Sequence, residues 1–407
     1  MIAILQWESL VTVFQGTSQG NAMRNYLIVG AGFSGAVLAR ALAEHGRARV
    51  LVIDAREHIG GTCHTARDEA TGVMVHQYGP HIFHTNRQDV WDYVNGFGEF
   101  RPYINRVKAS IDKGIFSLPV NLHTINQFFG KNLSPAGARA FIASLGDSSI
   151  GESANFEEQA LKLIGRELYD AFFYGYSKKQ WGCEPRELPA SILKRLPIRF
   201  NYNDNYYDSV FQGIPMDGYS AVISRILAHP GIEVKTGLAF DRSMRGEFDH
   251  VFYTGAIDAY YGYSLGRLSY RTVFWDRVEG GDDMQGTAVI NYPGIDIRHT
   301  RVLEHKHFTP WESHDHSVSF IEYSKETEAT DVPHYPKRLP DDRLLLNDYA
   351  AMAREDHGVS FLGRLATYRY LDMDQVIAEA LDFSGRVLVH GAASAGVRFS
   401  CDPAETD

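Results

Sequence analysis

The chain has 407 residues, of which 44% are hydrophobic and 22% charged, a composition that excludes a disordered protein and suits two or three packed units. With 40 Lys and Arg against 50 Asp and Glu, the formal charge is −10, which disfavours nucleic acid and anionic membranes as partners. The three cysteines, Cys63, Cys183 and Cys401, form no CxxC pair, which argues against a disulfide framework and for a reducing, cytoplasmic setting.

The first 22 residues contain a short apolar stretch without a basic leader, and Glu8 interrupts it. We expect residues 1–22 to be an extension before a start at Met23. No run approaches the roughly 20 apolar residues that cross a bilayer, so no membrane span is predicted.

A strand, a glycine turn and a helix open the folded part of the chain. Tyr26–Val29 is apolar, Gly30–Gly35 turns the chain, and Ala36–His45 has helical spacing. A second apolar strand, Arg49–Ile53, ends in Asp54, at the distance expected for a carboxylate that binds a ribose hydroxyl. The pattern predicts a βαβ unit with a right-handed crossover and a parallel sheet.

The glycines of the turn have separate physical roles at a dinucleotide. Gly30 permits the tight turn, Gly32 lets backbone amides approach a pyrophosphate, and Gly35 lets the helix pack on the strand. The positions expected to line the cofactor here are Gly30, Gly32, Phe33, Ser34 and Gly35.

A second glycine pair, Gly60-Gly61, followed by Thr62, favours FAD over NAD. Such a pair close behind the acidic residue resembles the pattern of flavoproteins related to glutathione reductase and the amine oxidases. FAD is therefore the predicted cofactor.

Farther along, the fold class predicted is α/β, a discontinuous Rossmann-like FAD-binding domain with a helical insertion domain and a mixed or antiparallel β-sheet domain. Strands are expected at Arg271–Trp275, Thr287–Ile290 and Ser317–Glu322. We expect Asp249–Gly255 to be a buried strand that returns to the nucleotide. The predicted parts are an FAD domain from residues 23–90, about 209–265 and 355–390; a mostly helical domain with a mobile lid at about 91–193; a β-sheet substrate domain at about 194–208 and 266–354; and a loosely ordered tail at 391–407.

Aromatic side chains crowd the stretch Phe172–Gly182, which includes two lysines and two glycines. For Phe172 or Phe173 alone, core packing is the better interpretation, whereas aromatics beside flexible glycines can stack on a base under a closing segment. Arginines and tyrosines recur after this stretch at Arg195, Arg199, Tyr206, Tyr207, Arg301, Tyr335, Arg364 and Tyr370. Most arginines are solvated surface charges, but a diphosphate ligand in an acidic protein needs at least two of them.

Three histidines, His76, His81 and His84, lie in one segment. The intervening Gly79-Pro80 spoils a regular helix, and no carboxylate or cysteine cluster completes a ligand set. A loop close to the cofactor, without a metal, is the favoured interpretation.

Seven longer runs together identify a resemblance to the UDP-galactopyranose mutases of the bacterial type. They are Tyr78–Thr85, Leu118–Phe128, Gly175–Gly182, Lys194–Tyr206, Gln212–Tyr219, His299–Phe308 and Gly363–Asp374. The resemblance extends from Met23 to about Leu381. It implies an isomerase that uses reduced FAD, with flavin N5 attacking the anomeric carbon and expelling UDP before the ring recloses, so that no net oxidation occurs.

Site roles also follow from the resemblance. Arg195 and Arg301 would hold the diphosphate with the hydroxyls of Tyr206, Tyr335 and Tyr370, and Arg195 would lie at a mobile lid. Tyr176 with Phe172 or Phe173 would stack on uracil, and Trp181 would lie near the sugar. The residues implied as catalytic are Arg195, Arg301, His81 and His84; the polar neighbours of the ligand are Asn105, Asn291 and Asp372; and the cofactor contacts beyond the glycine turns are Thr62, His81, Arg364, Tyr370 and Asp372.

The implied partners are UDP-galactopyranose, UDP-galactofuranose, UDP and an external reductant such as NAD(P)H, while a homo-oligomer is left open. Thr62-Cys63-His64 departs from the Asn and aromatic usual in the family, and Asp54 replaces the commoner Glu. The alternative functions are an FAD-dependent amine or alcohol oxidoreductase and an inactive nucleotide-binding scaffold.

Overall fold

A computed structural model describes residues 23–195 and 198–395 of the chain. The expected extension at 1–22 lies outside the described residues. The strands are β1 Asn25–Val29, β2 Arg49–Ile53, β3 Thr65–Arg67, β4 Met74–His76, β5 Phe83–Thr85, β6 Phe100–Pro102, β7 Val107–Ile111, β8 Gly114–Leu118, β9 Phe211–Pro215, β10 Ile232–Lys235, β11 His250–Tyr253, β12 Tyr270–Gly281, β13 Val289–Asn291, β14 Arg301–Glu304, β15 His316–Glu326, β16 Tyr335–Pro336 and β17 Val359–Phe361.

Eleven α-helices are found in the described part of the chain. They are α1 Phe33–His45, α2 Gln88–Asn95, α3 Leu122–Phe129, α4 Pro135–Leu145, α5 Phe156–Tyr169, α6 Gly175–Trp181, α7 Tyr219–Leu227, α8 Ile257–Tyr260, α9 Pro340–Glu355, α10 Gly363–Ala366 and α11 Met373–His390. A π-helical turn, Asp170–Tyr174, joins α5 to α6, and 3-10 turns lie at Gly61–Cys63, Pro185–Glu187, Ala190–Arg195, Arg242–Glu247, His305–Phe308 and Ala392–Ser394. None of the described helices combines the length and the apolarity that a bilayer crossing requires.

A parallel five-stranded sheet carries the glycine turn, in the order β10-β2-β1-β11-β17. Both of its faces are covered, because Ile28 packs with α1, α7 and α11 while the neighbouring Leu27 packs with α8 and α9. Burial on both faces explains why its strands read as continuous apolar runs. The predicted Rossmann-like α/β fold is confirmed.

The second large sheet is mixed, with seven strands in the order β16-β12-β15-β14-β13-β7-β8. Its strands pair antiparallel except for β13 and β7. The longest pairing joins Arg271–Gly281 to His316–Glu326. One apolar core links this sheet to α3, α4 and α5.

Two segments depart from their predicted structure. Within the stretch predicted as mostly helical, β7 and β8 form a hairpin at the edge of the mixed sheet, because Val107 and Ala109 are buried in strand alternation. The tail is not loose at its start, since Ala392 and Ala395 are buried and the Ser360 hydroxyl donates to the Ala392 carbonyl. Residues 396–407 lie outside the described part.

Candidate nucleotide and substrate site

The first glycine turn has the geometry of a backbone cradle. Gly30 has a φ of +110°, a conformation that strains any residue with a side chain. A Cβ on Gly35 would lie 1.9 Å from the Gly30 carbonyl oxygen, so only glycine lets α1 approach β1. A Cβ on Gly32 would meet nothing nearer than the Gly61 Cα at 3.8 Å. Gly32 is therefore free of protein contacts that require glycine, which fits a position kept open for a ligand.

The second glycine pair lies directly against the first turn. The Gly60 N–H donates to the Ala31 carbonyl at 2.9 Å, and both Gly60 and Gly61 have positive φ. A Cβ on Gly61 would come within 3.3 Å of the Gly32 Cα. Two side-chain-free turns thus face each other at the amino end of α1, an arrangement that fits a pyrophosphate.

Within Thr62-Cys63-His64, the segment that differs from the usual family pattern, the side chains of Cys63 and His64 are directed into the protein. Cys63 is buried. The His64 Nδ1 lies 3.0 Å from the Ile59 carbonyl and 2.9 Å from the Ser220 hydroxyl. Cys63 and His64 therefore support the second glycine turn from behind.

Asp54 is buried at the end of β2, as the motif predicts. Its Oδ2 accepts from the Ala31 N–H at 2.9 Å, and its Oδ1 accepts from the Arg56 N–H at 2.9 Å. The carboxylate therefore orders the glycine turn itself, a role that the sequence did not reveal. The Arg56 guanidinium also donates to Oδ1 at 3.4 Å, so Oδ2 is the oxygen that retains a lone pair for a ligand hydroxyl.

A third segment reaches the cofactor cradle from the end of the chain. Gly363, with a φ of +82°, approaches so closely that a Cβ there would lie 2.4 Å from the Ser34 hydroxyl. The neighbouring Arg364 guanidinium lies 4.9 Å from the ring centroid of Tyr335 and 4.6 Å from that of Tyr370. Its Nε is buried without a hydrogen-bond partner among the described residues. A buried donor without a partner is costly unless an acceptor arrives, which fits an anionic or carbonyl-bearing cofactor.

Arg301 lies at the start of β14, opposite Glu322 of β15. Its Nε and one terminal nitrogen each donate to a different Glu322 oxygen at 2.8 Å, and Glu322 is fully buried. Burial is the largest single influence and acts to lower the pKa of Arg301, but the Glu322 carboxylate, its hydrogen bond and the neighbouring Tyr176 and Tyr335 together raise that pKa well above its usual value. Arg301 is thus a fixed, permanently charged group.

Sequence reasoning missed Glu322, although a signal was present. Val318, Phe320 and Glu322 occupy one face of β15, and all three are buried. A carboxylate at an inward-facing strand position needs a cation or several donors. The alternation of Val318, Phe320 and Glu322 along the strand therefore could have predicted a buried partner for Glu322.

Several of the predicted ligand residues gather around Arg301. Asn291 pairs with it directly across β13 and β14. Burial raises the pKa values of the Tyr176, Tyr206 and Tyr335 hydroxyls, that of Tyr335 to about 12. The positive charge of Arg301 acts in the opposite direction on all three. The tyrosines therefore stay neutral and can donate to an anion.

The rest of the predicted set continues outward from these tyrosines. The Tyr370 ring stacks near Tyr335, with centroids 5.8 Å apart, and the Trp181 ring meets Tyr335 edge-on at 6.4 Å. The Asp372 charge acts on Tyr206. Asn105 is buried and accepts from the Tyr206 N–H through its backbone carbonyl at 2.8 Å, while its side-chain oxygen has no partner in the described structure.

The two predicted histidines have different surroundings. The His81 Nδ1 lies 2.7 Å from the Gly79 carbonyl, and burial lowers the pKa of His81 to about 4, with the Arg364 and Arg301 charges also acting to lower it. A neutral His81 that donates through Nδ1 leaves Nε2 as an acceptor. The His84 ring instead stacks on the Tyr207 ring, with the two ring centroids 3.8 Å apart. His81 is thus the histidine that lies near both arginines.

Not every predicted residue joins the cluster. The Phe172 ring packs in the core against Phe116 and Phe128, at 5.4 and 5.5 Å, because the π-helical turn directs it inward. Phe173 is buried as well. The Arg195 side chain and residues 196 and 197 lie outside the described part, so the roles of Arg195 and the lid stay predictions.

Among the described residues, one group of side chains is close enough together to hold a metal ion, and it does not include His76, His81 or His84. It comprises Asp283, Glu304 and His307. The Glu304 carboxylate already accepts from the Ser317 hydroxyl at 2.5 Å and from the Met284 and Gln285 amides at 2.8 Å. These hydrogen bonds compensate the burial of the Glu304 carboxylate, which holds the loop at Met284 and Gln285 in place.

Comparisons with known proteins find similar families, relatives and folds. A family model described as UDP-galactopyranose mutase matches residues 171–370, and an NAD(P)-binding Rossmann-like domain matches residues 28–97. The chain is 55% identical to a probable UDP-galactopyranose mutase of Klebsiella pneumoniae, over 88% of this chain and 93% of that protein. It is 52% identical to a dTDP-fucopyranose mutase of Escherichia coli, over 88% of this chain and 97% of that protein. A solved structure of a reduced UDP-galactopyranose mutase shares the fold with a TM-score of 0.69 at 15% identity, over 92% of this chain and 97% of that one.

Proposed function

The chain belongs to the UDP-galactopyranose mutase family, a family of flavoenzymes, and we propose that it interconverts UDP-galactopyranose and UDP-galactofuranose on FAD held in the reduced state. The observation that carries the proposal is the buried Arg301, fixed by Glu322 and surrounded by neutral tyrosine hydroxyls. A fixed cation with convergent donors suits a sugar diphosphate.

The two glycine turns, Ser34 and the acceptor Asp54 would hold FAD, with Arg364 supplying a charged N–H. Reduced FAD supplies a nucleophilic nitrogen for the anomeric carbon, chemistry that no side chain of the site offers. An external reductant such as NAD(P)H would keep it reduced, in the cytoplasm.

The chain's own residues then bind and orient the substrate. Arg301 neutralises the diphosphate as negative charge develops on departing UDP, and Tyr335 donates to a phosphate oxygen. Tyr176 covers the uracil ring. His81, neutral and fixed by Gly79, presents an acceptor nitrogen beside the reacting sugar.

Two other functions differ in support. A dTDP-fucopyranose mutase activity is favoured by one observation, the 52% identity to a protein of that name. An FAD-dependent amine or alcohol oxidoreductase would share the fold, but its neutral or cationic substrates do not need a buried arginine at their binding site.

The test is turnover by purified holoenzyme with and without dithionite, with UDP-galactofuranose and dTDP-fucopyranose in parallel. We expect UDP-galactopyranose to form from UDP-galactofuranose only after reduction. Faster conversion of the dTDP sugar would reassign the substrate. If neither sugar is converted, whether the flavin is reduced or oxidised, the protein is not a mutase.

A further inference from the structure

Lys179 of α6 has an unusual environment for a lysine. Its Nζ lies 2.5 Å from the Tyr292 carbonyl, 2.9 Å from that of Gly294, 2.8 Å from that of Ile297 and 2.9 Å from that of His299. Four oxygens share three N–H donors. Its partners are carbonyls of one loop, residues 292–299, which closes around the ammonium as it would around a metal cation.

This loop joins the two strands that carry candidate substrate contacts. Asn291 ends β13 immediately before it, and Arg301 begins β14 just after it. Lys179 binds carbonyls at both ends of the loop and so sets the separation of those ends. The same helix carries Tyr176, and its Gly175 approaches the loop so closely that a Cβ would lie 2.1 Å from the Pro293 carbonyl oxygen.

We propose that Lys179 is a positioning residue for the nucleotide sugar, fixing the base-stacking Tyr176 relative to the diphosphate contact Arg301. The inference rests on the proposed function, since it places a nucleoside diphosphate between these residues. The ammonium ties the helix to the loop through charge-assisted hydrogen bonds, which are stronger than neutral ones.

Other contacts keep α6 in place when the ammonium is removed. The Gln180 carbonyl accepts from the Arg271 Nε at 2.9 Å and from the Ser324 hydroxyl at 2.7 Å. Loss of the Lys179 ammonium should therefore release the loop while the end of the helix remains docked. A folded protein with a misaligned site is the expected result.

The test compares Lys179→Met with Lys178→Met, a matched change one residue away whose ammonium pairs instead with Glu184. UDP is titrated calorimetrically into the oxidised holoenzyme at about pH 7, because burial lowers the pKa of Lys179 to about 8 and the ammonium is then charged. We expect the Kd of UDP to rise about tenfold for Lys179→Met, the equivalent of one strong charged hydrogen bond. Lys178→Met should stay within about twofold of wild type.

The kinetic readout separates positioning from general damage. The KM for UDP-galactofuranose should rise with the Kd, whereas kcat should change little, because the ammonium touches no reacting atom. Lys179→Leu, which likewise removes the ammonium and all of its N–H donors, serves as the second variant if Lys179→Met does not fold. UDP affinity within about twofold of wild type in either folded variant overturns the inference. Wild-type enzyme that binds UDP but does not turn over would refute the proposed function and leave this comparison valid.

Discussion

Arg301 shows what a single buried ion pair does at this site. Two of its five N–H groups bind Glu322, so three remain for a ligand. A buried pair contributes little net stability, because desolvating two charges offsets their attraction. We therefore assign Glu322 the task of orienting the guanidinium.

Arg301→Ala is expected to abolish measurable UDP binding while the yellow cofactor remains bound. It should also lower the free energy of unfolding by about 3–5 kcal/mol, because the Glu322 carboxylate is left buried without its cation. Calorimetry with UDP, flavin absorbance and urea unfolding measure the three effects. Arg277→Ala, which breaks an exposed ion pair with Asp68, is the control. Loss of flavin from the Arg301 variant would show that this residue belongs to the cofactor site.

Arg195→Ala is predicted to weaken UDP binding and turnover in the same way, again without loss of flavin. The physical reason is the unpaired phosphate charge that remains when one of two arginines is removed. The same UDP titration and flavin absorbance apply. An unchanged Kd and kcat/KM would remove Arg195 from the diphosphate site.

Cys63 is predicted to be chemically inert in the folded protein. Burial raises the pKa of its thiol to about 12, so at about pH 8 only about one molecule in ten thousand carries the reactive thiolate. Iodoacetamide should label Cys63 only after unfolding, whereas the half-buried Cys183, whose thiol pKa burial also raises, should react slowly in the native state. Peptide mass mapping distinguishes the two sites, and rapid native labelling of Cys63 would contradict its burial.

At the residue scale, the sequence indicated which side chains to examine better than it indicated their hydrogen-bond partners. The positions of Arg301 and Arg364 followed from a family resemblance, but Glu322 and the bond from the Ala31 N–H to Asp54 did not. These bonds join groups 21 and 23 residues apart on different elements, and a sequence motif does not specify which atoms of those elements meet. The core position of Phe172 is the one that its sequence context favoured, whereas the family resemblance allowed either Phe172 or Phe173 to stack on uracil.

At the scale of elements, the glycine turn could be predicted because its signal is local. Strand, turn, helix and Asp54 occupy one short segment, so the residues that define the βαβ unit are adjacent in sequence. The short strands β10 and β17 were not predicted, since each has only a few residues and becomes a strand by pairing with the sheet.

Two glycines of this turn should respond differently to alanine. Gly35→Ala places a Cβ 1.9 Å from the Gly30 carbonyl oxygen, so α1 must separate from β1 and soluble protein should be lost. Gly32→Ala has no close protein neighbour, so the protein should fold but bind flavin weakly, because the methyl group occupies the backbone approach to the pyrophosphate.

Soluble yield, thermal unfolding and flavin content of the two variants check this difference. Gly385→Ala, on the exposed face of α11 with no atom near its Cβ, is the control and should stabilise by about 0.5–1 kcal/mol. Full flavin in Gly32→Ala would mean that the cofactor does not approach this turn.

For the whole molecule, the decisive property is that one sheet is assembled from separate parts of the chain. β1 and β2 come from the first segment, β10 and β11 from the middle, and β17 from near the end. Sequence indicated the return of one strand, at Asp249–Gly255, because it is a continuous buried run ending in glycine. The order of strands required the structure, since register between distant segments leaves no local signal.

This assembly predicts that residues 23–97, which include the complete glycine turn and Asp54, do not fold alone. In the intact protein β1 is central, with β2 on one side and β11 on the other, and α1 packs chiefly on α11. A fragment without β11 and α11 exposes the apolar residues of both, and a two-stranded sheet is at best marginally stable. Circular dichroism and FAD titration of the fragment should show little structure and no cofactor binding, with residues 23–395 as the control. A fragment that binds FAD with the affinity of the control would mean that the nucleotide unit is autonomous and that the later strands serve the substrate site instead.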